Sequence, residues 1–269
     1  MHLRSLLMTA VAAMAAIAMA APIASAATPN PGYEQFAGCP SSTENPAITG
    51  CLRAIIKSGH FKMGNKNVPI SKPIILSGGV NGEFQGFSAT SKGGLLPAKQ
   101  LVPGGVIGLT GLDWLVNFLS IEALQLYAVT ELAGQPVIAE KFTLPIKVHL
   151  INPALGNNCY VGSVSNPIKL ELTQGVTSPP PPNTPIEGQP FQSFEEHANG
   201  VTTFKDGIFV DNSFAAPGAS GCVLTLFGFI PISINGLVNS QSGLPAPAGT
   251  NTTVQNTDME IAPESLVYP

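Results

Sequence analysis

Glu195-Glu196-His197 is the densest group of ligand-like side chains in this 269-residue sequence. With Asp206 or Asp211 it could hold a divalent cation through carboxylate and imidazole donors. The group lacks the H-E-x-x-H spacing that puts two imidazoles on one helix face, and no second histidine lies near it. A polar loop beside a proline-rich stretch is the expected role. Nucleophilic catalysis has less support. No G-x-S-x-G occurs, and Gly218-Ala219-Ser220-Gly221-Cys222 has the wrong spacing for a nucleophile elbow. His60 and His149 are the other histidines beyond the N-terminal segment. His149 sits in the alternating run Lys147-Val148-His149-Leu150, where a surface or satisfied imidazole is expected.

Cofactor and substrate signatures are equally sparse. There is no P-loop and no G-x-G-x-x-G opening a helix after a strand, so no cofactor is expected. Carboxylates for glycoside hydrolysis come from distant positions, and spacing does not test them. Sugar-cleaving clefts need stacking aromatics, and the chain has one tryptophan, Trp114, and 4 tyrosines. The arginine and lysines Arg53, Lys57, Lys62, Lys66 and Lys72 gather in one stretch. They read as a solvated surface or, more sharply, as a contact for an anionic polymer or phospholipid. Without interleaved aromatics they do not predict a nucleic-acid partner. Asn251-Thr252-Thr253 is formally a glycosylation sequon.

The four cysteines, Cys39, Cys51, Cys159 and Cys222, carry the clearest covalent chemistry. No C-x-x-C occurs, which argues against a zinc ribbon or a thioredoxin-like site, and no metal is expected. Three disulfide pairings are possible. Cys39–Cys51 with Cys159–Cys222 is favoured, because each pair brackets its own segment. Phe36-Ala37-Gly38-Cys39 loosely resembles a lipoprotein cleavage box, but a polar stretch separates it from the apolar run, so a disulfide is the better expectation for Cys39.

Disulfides require an oxidising address, and residues 1–26 supply one. Arg4 precedes an uncharged, alanine-rich apolar run from Ser5 to Ala21, which ends in Ala24-Ser25-Ala26. These are the n-region, h-region and cleavage site of a secretory signal peptide. The mature chain then begins near Ala27, secreted into the medium or associated with the cell envelope, with no transmembrane span. No Leu-Pro-x-Thr-Gly-type sorting signal precedes Tyr268-Pro269, so release is expected over anchoring.

Composition describes the elements that must position these residues. The chain is 10% charged and 44% hydrophobic, with 28 glycines, 25 prolines and a formal net charge of −4. Many strands joined by Gly/Pro turns fit this better than long helices. The expected fold is mainly β: an antiparallel β-sandwich or open barrel with one short, disulfide-pinned N-terminal helix. The arm and helix occupy 27–66 and the β-rich domain 67–269, with a proline-rich loop at 178–190. Asn45 is placed to cap that helix, and Ile48, Cys51, Leu52, Ile55 and Ile56 follow helical spacing up to a stop at Gly59. Strands are expected over 67–77, 82–90, 136–142, 145–151, 159–164, 168–173, 201–204, 207–210, 223–235 and 252–261. Residues 112–123 fit a short amphipathic helix and 124–132 a strand. A Cys159–Cys222 bridge makes the proline-rich stretch a loop within one domain instead of a linker. The charge-free run Val223–Ile230 would be dangerous as an exposed edge, so it is expected at the centre of a sheet or packed on both faces. A connection is expected over 236–249.

Several segments carry a family resemblance. Leu144–Pro153 runs into Leu155–Ser163, followed by Ser165–Ile168, Gly175–Pro180 and Val210–Ala219. This order resembles a group of uncharacterised secreted proteins of high-GC actinobacteria, over roughly residues 100–260. The resemblance implies an exported envelope or extracellular protein and brings no catalytic or binding residues. The leading expectation is therefore an exported, non-enzymatic β-rich protein of the cell envelope or medium, with enzymatic activity left open. The alternatives are a carrier of an apolar ligand such as lipid, with Gly93–Leu132 and Phe227-Gly228-Phe229 lining a cavity, and a secreted hydrolase.

Overall fold

The computed structural model describes residues 27–82, 86–105, 125–139 and 141–268. The leader at 1–26, the amphipathic-helix reading of 112–123 and Trp114 lie outside the described residues. In chain order the strands are β1 (Gly50–Met63), β2 (Lys66–Pro69), β3 (Ile74–Val80), β4 (Phe87–Ser88), β5 (Gly94–Leu96), β6 (Gln100–Leu101), β7 (Tyr127–Leu132) and β8 (Val137–Ile138). They continue with β9 (Phe142–Ile151), β10 (Tyr160–Val161), β11 (Ile168–Leu172), β12 (Ser193–Glu196), β13 (Thr202–Asp211), β14 (Ala219–Ser220), β15 (Val223–Leu226), β16 (Ile230–Ser233) and β17 (Thr252–Pro263). The α-helices described are α1 (Asn235–Ser242) and α2 (Glu264–Val267), with short 3-10 turns at Glu34–Phe36 and Pro153–Leu155.

Two antiparallel sheets face one another. The first runs β12-β13-β17-β1-β3-β4, with β2 on β1 and β5 on β3. The second runs β14-β10-β9-β7-β6, with β8 and β11 also on β9. Leu52, Ile56 and Leu76 of the first sheet pack against Leu144, Ile146, Val148 and Leu170 of the second in one core. β11 reads in sequence as it stands in space: it alternates buried and exposed from Ile168 to Leu172, so its isoleucine and leucines enter the core.

The expected N-terminal helix is not formed. From Gly50 the chain is β1, which lies between β17 and β3 in the first sheet. The apolar spacing that imitates a helix has two physical causes. Leu52, Ala54 and Ile56 face the core, while Cys51 on the opposite face is buried in a second apolar cluster with Phe36, Cys39 and Ile48. A bulge between Ile56 and Ser58 then reverses parity, so Phe61 and Met63 enter the core. Burial on both faces plus a parity switch erases the period of two.

The second cluster coats the outer face of the first sheet. Val201, Ala262, Val267 and Tyr268 join the N-terminal arm there, and the Cys39–Cys51 disulfide fastens that arm to β1. The Tyr268 hydroxyl donates to the Cys39 carbonyl at 2.7 Å.

Two further expectations are corrected. The run from Val223 is neither central nor packed on both faces: β15 and β16 form a separate two-stranded hairpin. The stretch read as a connection after it holds α1, whose Val238 is fully buried. The proline-rich 178–190 stretch lies between β11 and β12 and is tied down by Asn183, whose amide donates to Asn212 O and Asn251 O.

Candidate functional site

The structure disperses the residues that could have done metal chemistry. Glu195 and Glu196 lie on the exposed edge strand β12. His197 Nε2 is 3.0 Å from Thr203 Oγ1, and its Nδ1 is 3.7 Å from Glu195. Asp206 is engaged by Lys57 at 2.7 Å, and buried Asp211 accepts from Glu171 N–H and from the Ser213 amide and hydroxyl. Among the described residues no group of three His, Cys, Asp or Glu could hold a metal ion.

The basic stretch is partly consumed in structural pairs. Arg53 meets Glu260 at 3.1 Å, and Lys57 meets Asp206 at 2.7 Å and Asp258 at 2.8 Å. Hydrogen bonds to Asp206 and then Asp258 raise the Lys57 pKa above its ordinary value. The bulges in β1 and β13 meet here, with Asp206 in the left-handed region at φ 58°.

The His149 imidazole is engaged at both nitrogens and on its face. Its Nδ1 is 3.5 Å from Glu131, its Nε2 is 3.1 Å from the Asn157 carbonyl, and its ring stacks on Tyr160 at 4.4 Å. Asn251 of the formal sequon is wholly buried. Its Oδ1 accepts from Gly64 N–H and its Nδ2 donates to Phe214 O and Pro247 O, so it presents no side chain for glycosylation. Cys39 is disulfide-bonded, which leaves no thiol for lipidation.

Among the described residues, two apolar cavities between the sheets, one lined by Leu52, Leu76 and Phe142 and one by Val68, Leu126 and Leu150, measure about 60 and 50 Å³. Ligand pockets for small organic molecules run to roughly 300–1,000 Å³.

What stands out is the β15–β16 hairpin. Leu226 pairs with Ile230, leaving Phe227-Gly228-Phe229 as the loop. Phe227 and Gly228 take φ 53° and 80°, and nothing approaches within 4 Å of where a Gly228 Cβ would stand. Phe227 is 84% exposed and Phe229 73%. Ile230 and Ile232, which alternation places on one face, are exposed as well. From Asn212 to Thr257 the sequence holds no Asp, Glu, Lys, Arg or His, so the apolar tip belongs to a charge-free unit.

The hairpin is mounted firmly. Cys222 at its base is bonded to Cys159. Cys222 N–H donates to Asn235 Oδ1 at 2.8 Å, and Cys222 O accepts from Ile234 N–H at 3.0 Å. The Asn239 side chain in α1 both accepts from and donates to the Ala219 backbone. β15 packs on the tight turn Pro153–Leu155. The sequence showed the apolar, charge-free composition of this run but assigned it to the interior; the signal for a tip is Phe-Gly-Phe between two short β-favouring runs.

Comparison with protein-family models, with curated proteins and with solved structures finds no match for this chain.

Proposed function

We propose that the chain is an exported, non-enzymatic β-sandwich protein that attaches peripherally to a lipid surface of the cell envelope through the β15–β16 hairpin. The observation that carries this reading is the exposure of Phe227 (84%) and Phe229 (73%) at the tip of a disulfide-mounted hairpin. The leader-like composition of residues 1–26, the two disulfides and the resemblance to exported actinobacterial proteins support the address. No helix among the described residues is long and apolar enough to cross a membrane, so the attachment invoked is peripheral.

Lipid is favoured over a protein partner by shape and charge. The tip is a hairpin loop with both rings exposed and, among the described residues, no atom within 4 Å of where a Gly228 Cβ would stand, which suits a fluid phase that closes around it. Its neighbours carry no charge, so insertion desolvates no ion. A phenylalanine buries roughly 150–250 Å². At about 25 cal/mol/Å² two such rings give roughly 8 kcal/mol gross, from which the cost of association, about 4 kcal/mol or more, is subtracted. The result is reversible attachment.

The test is flotation of the chain beginning at Ala27 with phosphatidylcholine vesicles. Wild type floats with the vesicles, equally at about 0.05 and 1 M NaCl, because no charge pairing is involved. The F227S/F229S double variant is left in the bottom fraction with its unfolding midpoint unchanged. Wild type that does not float, or a double variant that floats as well, overturns the reading.

A further inference from the structure

A second surface of the molecule has the opposite character. Alternation puts Tyr127, Val129 and Glu131 of β7 on the outer face of the second sheet, opposite Ile151, His149 and Lys147 of β9. Over this face lies an open groove of about 580 Å³, within the roughly 300–1,000 Å³ range of small-ligand sites. Lys72 and Pro73, from the β2–β3 connection, form one wall, and Pro97 and Lys99, from the β5–β6 connection, form the other.

One buried side chain joins the two walls. Gln100 is 3% exposed and immediately follows Lys99. Its Oε1 accepts from Ser71 N–H at 2.9 Å, Ser71 Oγ–H at 3.2 Å and Lys72 N–H at 3.1 Å. Its Nε2 donates to Lys72 O at 2.7 Å. The backbone that carries Lys72 is thus clamped to the residue beside Lys99, and the groove is formed before any ligand arrives.

The charge balance of the groove is cationic. The Lys147 ammonium is matched by Glu131 at 3.0 Å and sits 4.3 Å from the Tyr160 ring centroid. Among the described residues, neither Lys72 nor Lys99 has a carboxylate within salt-bridge distance; Lys99 Nζ is 6.0 Å from the Tyr127 ring centroid. Two ammonium groups with no carboxylate partner among the described residues border one cleft on a protein whose formal net charge is −4. The rest of the lining is apolar at Pro73, Pro97, Ala98, Val129 and Ile151, together with His149 and Glu131, whose carboxylate is taken up by Lys147 at 3.0 Å and lies 3.5 Å from the His149 ring.

We infer that this groove is a binding site for a small ligand with a carboxylate or phosphate head and an apolar or ring-shaped body. The head is seated by Lys72 and Lys99, and the body lies over the prolines and Ile151. The site is independent of the hairpin.

The experiment is amide chemical-shift titration of the processed, exported protein with phenyl phosphate, benzoate and, as the uncharged control, benzyl alcohol. A saturable shift of the Lys72, Lys99, Gln100 and Ile151 amides is expected with phenyl phosphate or benzoate, and the tighter of the two identifies the head group. K72Q/K99Q weakens binding about ten-fold, as the loss of two partly solvated charge contacts implies. Its remaining spectrum, superimposed on wild type, shows that the fold is intact. Binding also weakens with added salt. No saturable shift with either anion, an equal response to benzyl alcohol, or undiminished binding by K72Q/K99Q overturns the inference. Repeating the titration on F227S/F229S separates it from the lipid reading, since loss of hairpin attachment leaves anion binding unchanged.

Discussion

The phenol of Tyr268 is buried at 5% exposure between the N-terminal arm and the first sheet, with its hydroxyl donating to Cys39 O. Burial, and then the negative charges of Glu44 and Glu264, push its pKa above the ordinary tyrosine value. The folded state therefore holds this proton more tightly than the unfolded chain does. That contribution is fully present below the unfolded value of about 10 and is lost as pH rises through the raised folded value. Y268F keeps the ring and removes both the proton and the hydrogen bond. Its stability is lower than wild type by about 1 kcal/mol near neutrality. The gap narrows as pH rises above about 10, because only wild type must then hold a reluctant phenol. Urea unfolding between about pH 7 and pH 11 reads this difference directly, and curves that stay parallel throughout would rule out the Tyr268 contribution.

At the scale of elements, β1 depends on a glycine that its sequence presents as a helix stop. Gly59 has φ 132°, next to the bulge, and a Cβ there would lie 1.9 Å from Val254 O on β17. G59A must push the two paired strands apart and is expected to cost roughly 3 kcal/mol or more. G32A, also at positive φ (90°) but with nothing within 4 Å, is expected to cost only about 1 kcal/mol. Denaturant midpoints of the two variants check this, and a mild G59A would mean that β1 and β17 are not held as described. The same residues explain what was legible in advance. Strands with one buried and one exposed face, such as β11, announce themselves by alternation. β1 did not, because it buries Cys51 on one face and Leu52 on the other, and then changes parity at its bulge. The β15–β16 hairpin was misplaced for a different reason. An uncharged run of Val, Leu, Phe and Ile reads as interior, and composition does not distinguish a buried strand from one held outward by a disulfide at its base. Of the cationic groove the sequence marks only Lys72, at the end of the basic stretch; Lys99 is not legible as its partner because the walls come from two connections joined by Gln100, a contact with no sequence period.

Across the whole molecule, the two disulfides constrain loops of very different size. Cys39–Cys51 spans a sequence separation of 12, whereas Cys159–Cys222 spans 63 and encloses β11, the proline-rich stretch, β12 and β13 before reaching the hairpin base. On the loop-entropy argument the shorter link stabilises by about 3 kcal/mol and the longer by about 4. All four cysteines are wholly buried, so replacing either pair with alanine leaves a similar packing loss, and the difference between the pairs retains the loop term. C159A/C222A is therefore expected to be the less stable double variant by about 1 kcal/mol in chemical denaturation. It should also differ in where it loosens. Without Cys222 anchored to the second sheet, amide exchange rises through Val223–Ser233 and vesicle attachment weakens, while C39A/C51A leaves the hairpin protected and loosens the arm around Phe36 and Ile48. If C39A/C51A proved the less stable variant, or if hairpin exchange were the same in both, Cys159–Cys222 would not be what holds the exposed phenylalanines outward from the sandwich.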